Sequence, residues 1–140
     1  MMGNAPKSTS RAQAARTPGA KRAVPGEYYF DIAKLNSIMG GPEYSSAFGG
    51  CVEGERMMVA LMRMPAGTGS EPHTHPNEQW VYILEGTMDS VVDGKQKLVT
   101  PGGVIYIPAN TIHHASATPE SDVTFFTVKD ASHGLHGKKV

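Results

Sequence analysis

Cysteine and long apolar runs are scarce in this sequence. Cys51 is the single cysteine in the 140 residues, so no disulfide can form within them, and nothing in the cysteine count indicates an oxidising compartment. No apolar run approaches the roughly 20 residues that a membrane-spanning helix needs. We therefore expect a cytoplasmic protein without membrane association, in which Cys51 is a small buried or hairpin residue rather than a reactive thiol.

Acidic residues are absent from the first 26 residues, whereas basic residues are frequent there. The basic residues are Lys7, Arg11, Arg16, Lys21 and Arg22. Most other positions hold small or polar residues, which cannot bury enough apolar surface to offset the entropy lost on ordering. Residues 1–26 are therefore predicted to be a disordered basic tail. The remaining residues supply no basic patch, so a nucleic-acid partner is not expected.

Amphipathic helical periodicity is also missing, apart from about one turn near residues 32–38. Runs of β-branched and aromatic residues alternate instead with Gly, Pro, Asn and Asp. Strands are predicted at Glu27–Ile32, Met57–Met64, Gln79–Leu84, Met88–Val92, Lys95–Val99, Val104–Ile107 and Val123–Lys129. The pattern indicates one all-β domain over residues 27–130, followed by a C-terminal tail, residues 131–140.

Three of the six histidines are spaced as the ligands of a metal ion would be. His73 and His75 are two residues apart, and such residues of a strand point to the same face about 6.6 to 6.8 Å apart along the chain. A metal ion bound to imidazole nitrogens at about 2.0 to 2.1 Å needs this convergence and a further ligand from another strand. His113 is the candidate for that ligand.

Residues at fixed distances from these histidines complete two motifs. The first motif contains Gly67, His73, His75, Gln79 and Gly86, and the second contains Gly102, Pro108 and His113. Their spacing resembles the two-part signature of the cupin superfamily, G-x5-H-x-H-x3-E-x6-G followed by G-x5-P-x-G-x2-H-x3-N. The resemblance covers roughly residues 57–128. It implies a small single-domain cupin of the type 2 conserved-barrel kind.

The chain departs from that signature at three positions. Gln79 replaces the glutamate, Asn110 the glycine and Ala117 the asparagine of the motifs. Asparagine tolerates the left-handed conformation that glycine supplies, so the turn at Asn110 should be retained. The resemblance implies a double-stranded β-helix, or jelly-roll barrel, with the metal ion inside and the substrate entering from one open end.

The cupin resemblance implies His73, His75, Gln79 and His113 as the metal ligands. Three neutral imidazoles and a neutral amide would leave the charge of a divalent ion uncompensated, so we expect an anionic ligand. Glu78 is the alternative fourth ligand, because Pro76 could introduce a bulge that shifts the strand alternation by one residue. Iron or manganese is the first expectation for the metal, and zinc, nickel and copper are also compatible with such ligands.

Methionines are concentrated in the predicted strand Met57–Met64. Met62 and Met64 share one face of this strand, and Arg63 lies on the other. An inward methionine face would give a substrate-binding lining or an ordinary core. If the opposite face points inward, Arg63 could bind a substrate carboxylate through its guanidinium.

The other histidines are not expected to be ligands. His114 should point away from His113 within a strand, and His133 and His136 belong to the predicted C-terminal tail, although they could fold over the barrel mouth. A homodimer is also expected, because the predicted strand Glu27–Ile32 offers an alternating edge for a second copy.

Two functions are compatible with these features. In the first, the protein is an enzyme that acts on a small organic acid, dicarbonyl or sugar acid by oxygenation, isomerisation or lyase chemistry. Its catalytic residues are not evident, because only Glu78, Glu85 and Tyr106 are titratable neighbours of the ligand set. In the second, it is a non-catalytic cupin that binds a metal ion and a small molecule. The fold hosts many chemistries and does not decide between them.

Overall fold

The structure is a computed structural model and describes residues 15–140. In these residues the chain forms one 3₁₀ helix, Ile32–Lys34, and twelve strands. The strands are β1 (Lys21–Arg22), β2 (Ile38–Met39), β3 (Phe48–Glu53), β4 (Met57–Met64), β5 (His73–Thr74), β6 (Gln79–Glu85), β7 (Met88–Val92), β8 (Lys95–Val99), β9 (Val104–Ile107), β10 (His113–Ala117), β11 (Val123–Asp130) and β12 (Lys138–Lys139). The predicted all-β class is confirmed.

The strands form two sheets. The first has the order β1-β3-β4-β11-β6-β9, with β2 beside β3, and the second has the order β12-β5-β10-β7-β8. All neighbours are antiparallel except β1 and β3. Apolar side chains from both sheets, such as Met62 and Ile83 from the first and Met88 and Ala117 from the second, pack into one core. This is the predicted jelly-roll barrel.

Strict alternation on the central strands decides which side chains enter the barrel. On β11 the buried residues are Val123, Phe125, Thr127 and Lys129. Lys129 is paired in register with Met58 of β4 on one side and with Gln79 of β6 on the other. Two polar side chains therefore stand next to each other on the inner face of the first sheet.

Four predicted strands, Met57–Met64, Met88–Val92, Lys95–Val99 and Val104–Ile107, have their predicted bounds, and two more, beginning at Gln79 and Val123, are one residue longer than predicted. The strand predicted at Glu27–Ile32 is wrong. Strand propensity reflects packing against neighbouring strands. This segment has no neighbouring strand, and Tyr29 remains 94% exposed. The homodimer stays a prediction, but its proposed edge strand is absent.

One long strand, β3, was not predicted because Gly49 and Gly50 resemble a turn in the sequence. A Cβ atom at Gly49 would lie 1.9 Å from the carbonyl oxygen of Leu61, so only glycine permits the two strands to approach this closely.

β3 also carries Cys51, which is 1% exposed. Burial raises the pKa of the Cys51 thiol to about 12, so the thiol is protonated at neutral pH.

The segments near both ends of the chain pack against the barrel. The backbone N–H groups of Arg16 and Thr17 donate hydrogen bonds to the buried Glu53 carboxylate at 2.7 and 3.0 Å, and β1 pairs with β3. The predicted disordered tail is therefore corrected for residues 15–26, since composition does not reveal a distant carboxylate partner. The rest of that predicted tail, residues 1–14, lies outside the described residues.

Residues 131–140, predicted as a tail, are likewise packed. Leu135 is 4% exposed and its N–H donates to the Thr17 hydroxyl at 2.7 Å, while β12 pairs with β5. His136 Nε2 lies 2.9 Å from the Met39 carbonyl oxygen. Along residues 15–140, no helix is long and apolar enough to cross a membrane. The cytoplasmic location stays a prediction.

Replacing Glu53 with Ala should lower the free energy of unfolding by about 3 kcal/mol, because two N–H groups lose a charged acceptor inside the protein. Glu53→Gln, which keeps one oxygen, should cost less. Urea denaturation measures both, with exposed Glu120→Gln as the control. A change below about 0.5 kcal/mol for Glu53→Ala would contradict the anchoring role.

Candidate metal centre

Three histidines converge inside the barrel. His73 on β5 is paired in register with His113 on β10, and His75 follows two residues after His73. Their exposed fractions are 8%, 6% and 3%, in that order. One side-chain nitrogen from each ring lies within 4.8 Å of the others. The structure therefore brings together the three histidines that the sequence singles out.

Each of these rings is oriented by a backbone carbonyl two residues away. The Nδ1 contacts are His73 with Glu71 (2.7 Å), His75 with Asn77 (2.8 Å) and His113 with Thr111 (2.8 Å). Because a carbonyl oxygen only accepts, each Nδ1 carries the proton, and the neutral ring presents an unprotonated Nε2. A metal-binding histidine characteristically has such a partner on its other nitrogen.

The cavity keeps these imidazoles neutral. Burial lowers the pKa of His113 to about 3 and that of His75 to about 4, and it also lowers the pKa of His73. The hydrogen bonds at Nδ1 act in the opposite direction but are outweighed by burial. At neutral pH all three Nε2 lone pairs are thus available to a cation.

Gln79 adds an oxygen to this cluster, and Thr127 determines its orientation. The Thr127 hydroxyl donates its proton to the Trp80 carbonyl oxygen at 2.9 Å, so Thr127 can only accept from the amide. Gln79 Nε2 supplies that hydrogen bond at 2.7 Å. The other end of the amide, Oε1, therefore faces the histidines and lies 3.0 Å from His75 Nε2.

The contact between Gln79 and His75 is unsatisfied without a cation. Neutral His75 has one proton, and the Asn77 carbonyl oxygen claims it at Nδ1. Two lone pairs, on Nε2 and on Oε1, then face each other at hydrogen-bonding distance with no proton between them. A cation bound by both would remove this conflict. Three imidazoles and one amide oxygen fit a divalent transition metal.

Glu78, the alternative fourth ligand, points away from the histidines. It is exposed, and its carboxylate accepts a hydrogen bond from the Tyr106 hydroxyl at 2.7 Å. Gln79, by contrast, is 9% exposed and is the first of the alternating β6 residues whose side chains are buried. The geometry favours Gln79, because the turn at Pro76 leaves the alternation of β6 unshifted.

A cavity of about 90 Å³ lies beside the cluster. Met62 and Met64 line it, in agreement with an inward methionine face. The carboxylate-binding role considered for Arg63 is wrong, because alternation places Arg63 on the outer face of β4, where it pairs with Asp122 at 3.6 Å. No carboxylate side chain of residues 15–140 lines the cavity.

Two residues near the site were missed by the sequence analysis. Tyr44 stacks on His73 with ring centroids 4.1 Å apart, and no motif marks it. Lys129 is 4% exposed and lines the cavity beside Gln79. The alternation of β11 in the sequence places the Lys129 side chain on the inner face. A lysine at the end of a strand is normally exposed to solvent, however, so its burial was not expected. His114 is half-buried at the cavity lining, outside the three-histidine cluster.

Comparison with known families agrees with this architecture. Residues 60–129, half of the chain, match the Cupin_2 model, described as a cupin domain. The chain belongs to this family. The match includes strand β6, most of β4 and of β11, and all four residues of the candidate centre.

Individual relatives share parts of the chain. Over 77 residues it is 35% identical to the bifunctional lysine-specific demethylase and histidyl-hydroxylase NO66 of Branchiostoma floridae, a match that covers 52% of this chain and 13% of that protein. The polyketide cyclase RemF of Streptomyces resistomycificus has a TM-score of 0.68 at 20% identity, covering 81% of this chain and 85% of that one. An RmlC-like cupin from Shewanella frigidimarina has a TM-score of 0.63 at 18% identity, covering 76% and 93%. Both structures share the fold.

Replacing Thr127 with Val should weaken metal binding by about 10-fold or more, because the amide of Gln79 loses the partner that turns its oxygen toward the histidines. Zn²⁺ affinity, measured by competition with a chromophoric chelator, tests this expectation. Glu78→Gln is the matched control and should leave the affinity unchanged. Equal affinities of the Thr127→Val variant and the wild type would refute the role of the hydroxyl.

The metal-free protein should lose stability as the pH falls from about 6.5 toward 4. Histidines of the unfolded chain protonate near the ordinary pKa of 6.5, whereas burial holds the pKa of folded His75 at about 4, so the unfolded state binds more protons in this window. Urea denaturation at several pH values measures the slope. His113→Gln should reduce the slope, and exposed His133→Gln should not. A flat profile for the wild type would contradict the buried neutral imidazoles.

Proposed function

We propose that this protein is a metal-dependent cupin enzyme that acts on a small organic acid, dicarbonyl or sugar acid. Its reaction is an oxygenation, isomerisation or lyase step at a centre of three histidines and one glutamine. The observation that carries the proposal is the group of three imidazole nitrogens within 4.8 Å of one another, with the Gln79 oxygen held 3.0 Å from His75 Nε2 by Thr127. Iron or manganese is the preferred ion, and zinc, nickel and copper suit the same donors.

The donor set favours an anionic substrate. A divalent ion held by His73, His75, Gln79 and His113 would supply Lewis acidity, and none of these side chains reduces its charge. No carboxylate among the described residues lines the cavity. An anionic oxygen of the substrate is therefore the group that balances the charge. Met62 and Met64 would contact the apolar part of such a molecule and exclude water.

Proton transfer, where the reaction needs it, falls to residues of the cavity wall. Glu78, Glu85 and Tyr106 are exposed and do not line the cavity. Apart from His73 and His113, the titratable lining residues are Tyr44, His114 and Lys129. The name of the Branchiostoma relative includes a hydroxylase, which favours oxygenation among the three chemistries.

The second candidate function is a non-catalytic cupin that binds a metal ion and a small molecule. The absence of a lining carboxylate in residues 15–140 favours it, because a carboxylate is a frequent general base. Substrate turnover distinguishes the two functions, because only the enzyme would convert its ligand. The two candidates share the metal centre and the anionic ligand.

Loading the full chain with Fe²⁺ or Mn²⁺ should produce turnover of a member of a panel of 2-oxo acids, dicarbonyls and sugar acids. Oxygen uptake and loss of carbonyl absorbance provide the measurements. His113→Ala should lower the rate at least about 100-fold, since it removes a ligand, whereas exposed His133→Ala should retain it. Tight binding without turnover across the panel would establish the non-catalytic function, and failure to bind any divalent ion would refute both.

A further inference from the structure

Lys129 is the one amine side chain in the cavity lining of residues 15–140. It lies on the inner face of β11, in register with Gln79, and is 4% exposed. The same cavity is lined by His73 and His113. The amine and the candidate metal centre therefore border one cavity.

No carboxylate compensates the buried amine within the described part of the chain. The ion pairs of that part do not include Lys129. The acid in its own inner row, Glu53, is two strands away, across Met58, which corresponds to about 9.5 Å at the usual strand spacing. Both Glu53 oxygens already accept N–H groups of Arg16 and Thr17. A bound anion would offset the cost of burying this amine without a partner of opposite charge.

The hydrogen bonds of Lys129 leave donors free. Its Nζ donates to the Leu135 carbonyl oxygen at 2.6 Å. An ammonium has three N–H donors and a neutral amine has two, so at least one remains in either protonation state. The role of Lys129 as a donor thus does not depend on its titration.

We propose that Lys129 is the second anchor of the ligand, binding an oxygen of a small acid whose other oxygen binds at the metal centre. This inference rests on the proposed function and narrows its substrate class to small molecules with two oxygen groups, such as 2-oxo acids or short dicarboxylates. A cavity of about 90 Å³ accommodates a few non-hydrogen atoms, which suits such molecules. Its methionine-lined wall offers no competing charge.

Substitution of Lys129 by Met tests the anchor, because methionine keeps much of the chain length and loses the donors. Isothermal titration of the Zn²⁺-loaded protein with pyruvate and with oxalate should show affinities about 10- to 100-fold weaker than in the wild type, as expected for a lost hydrogen bond to a charged ligand. Lys129→Gln retains an N–H donor and should recover part of the affinity. Lys95→Met, at an exposed position of β8, is the matched control and should bind as the wild type does.

A purely structural lysine would change the unfolding midpoint but not the affinity for the acids at equal zinc content. Equal affinities of the wild type and Lys129→Met would therefore overturn the inference while leaving the proposed function intact. Failure of wild-type protein to bind zinc would instead remove the proposed function.

A second measurement needs no substitution. The side-chain ¹⁵N resonance of Lys129 in the Zn²⁺-loaded wild-type protein should shift on addition of oxalate and not of sodium chloride. An unchanged resonance at saturating oxalate, or no binding of either acid by the loaded wild type, would also overturn the anchor.

Discussion

The single proton of the Thr127 hydroxyl constrains the whole site. Since that proton is donated to the Trp80 carbonyl oxygen, Thr127 accepts from the Gln79 amide and turns the amide oxygen toward the histidines. The carbonyl group that accepts from each Nδ1 likewise leaves Nε2 of that imidazole unprotonated. Three imidazole nitrogens within 4.8 Å of one another, and the Gln79 oxygen beside His75, are thereby in place before any cation is bound. Because the ligand side chains are already oriented, less free energy is spent on ordering them when an ion binds.

Strand alternation delivers these groups to the interior. The inner face of the first sheet is apolar over Phe125 and Met62, and polar over Lys129 and Gln79. Buried polar groups are costly unless they are paired, so an apolar barrel keeps them only where they have partners or a ligand. Thr127 and Gln79 satisfy each other, whereas the Gln79 oxygen and Lys129 retain unused capacity toward the cavity. This polar row lies where the proposed ligand would bind.

The sequence predicts most of the barrel and the histidine cluster, because regular alternation and fixed spacing are local properties. It fails where a distant partner decides the outcome. The aromatic pattern at Tyr28 and Phe30 resembles a strand but has no neighbour, and Gly49 resembles a turn although the Leu61 carbonyl requires a glycine inside a strand. The alternation of the sequence places the Lys129 side chain on the inner face. Its burial, however, depends on the C-terminal segment that supplies the Leu135 carbonyl oxygen.

Charge explains why these features belong together. Glutamine in place of a carboxylate ligand would leave a divalent ion with its full charge, and Lys129 would add a second group that binds anions. A glutamate at position 79 would neutralise part of the ion's charge and, as the register neighbour of Lys129, would pair with the amine. The protein would then need less charge from its ligand. An amide at this position would leave both the ion and the amine unsatisfied, and the proposed small anion with two oxygen groups would satisfy both.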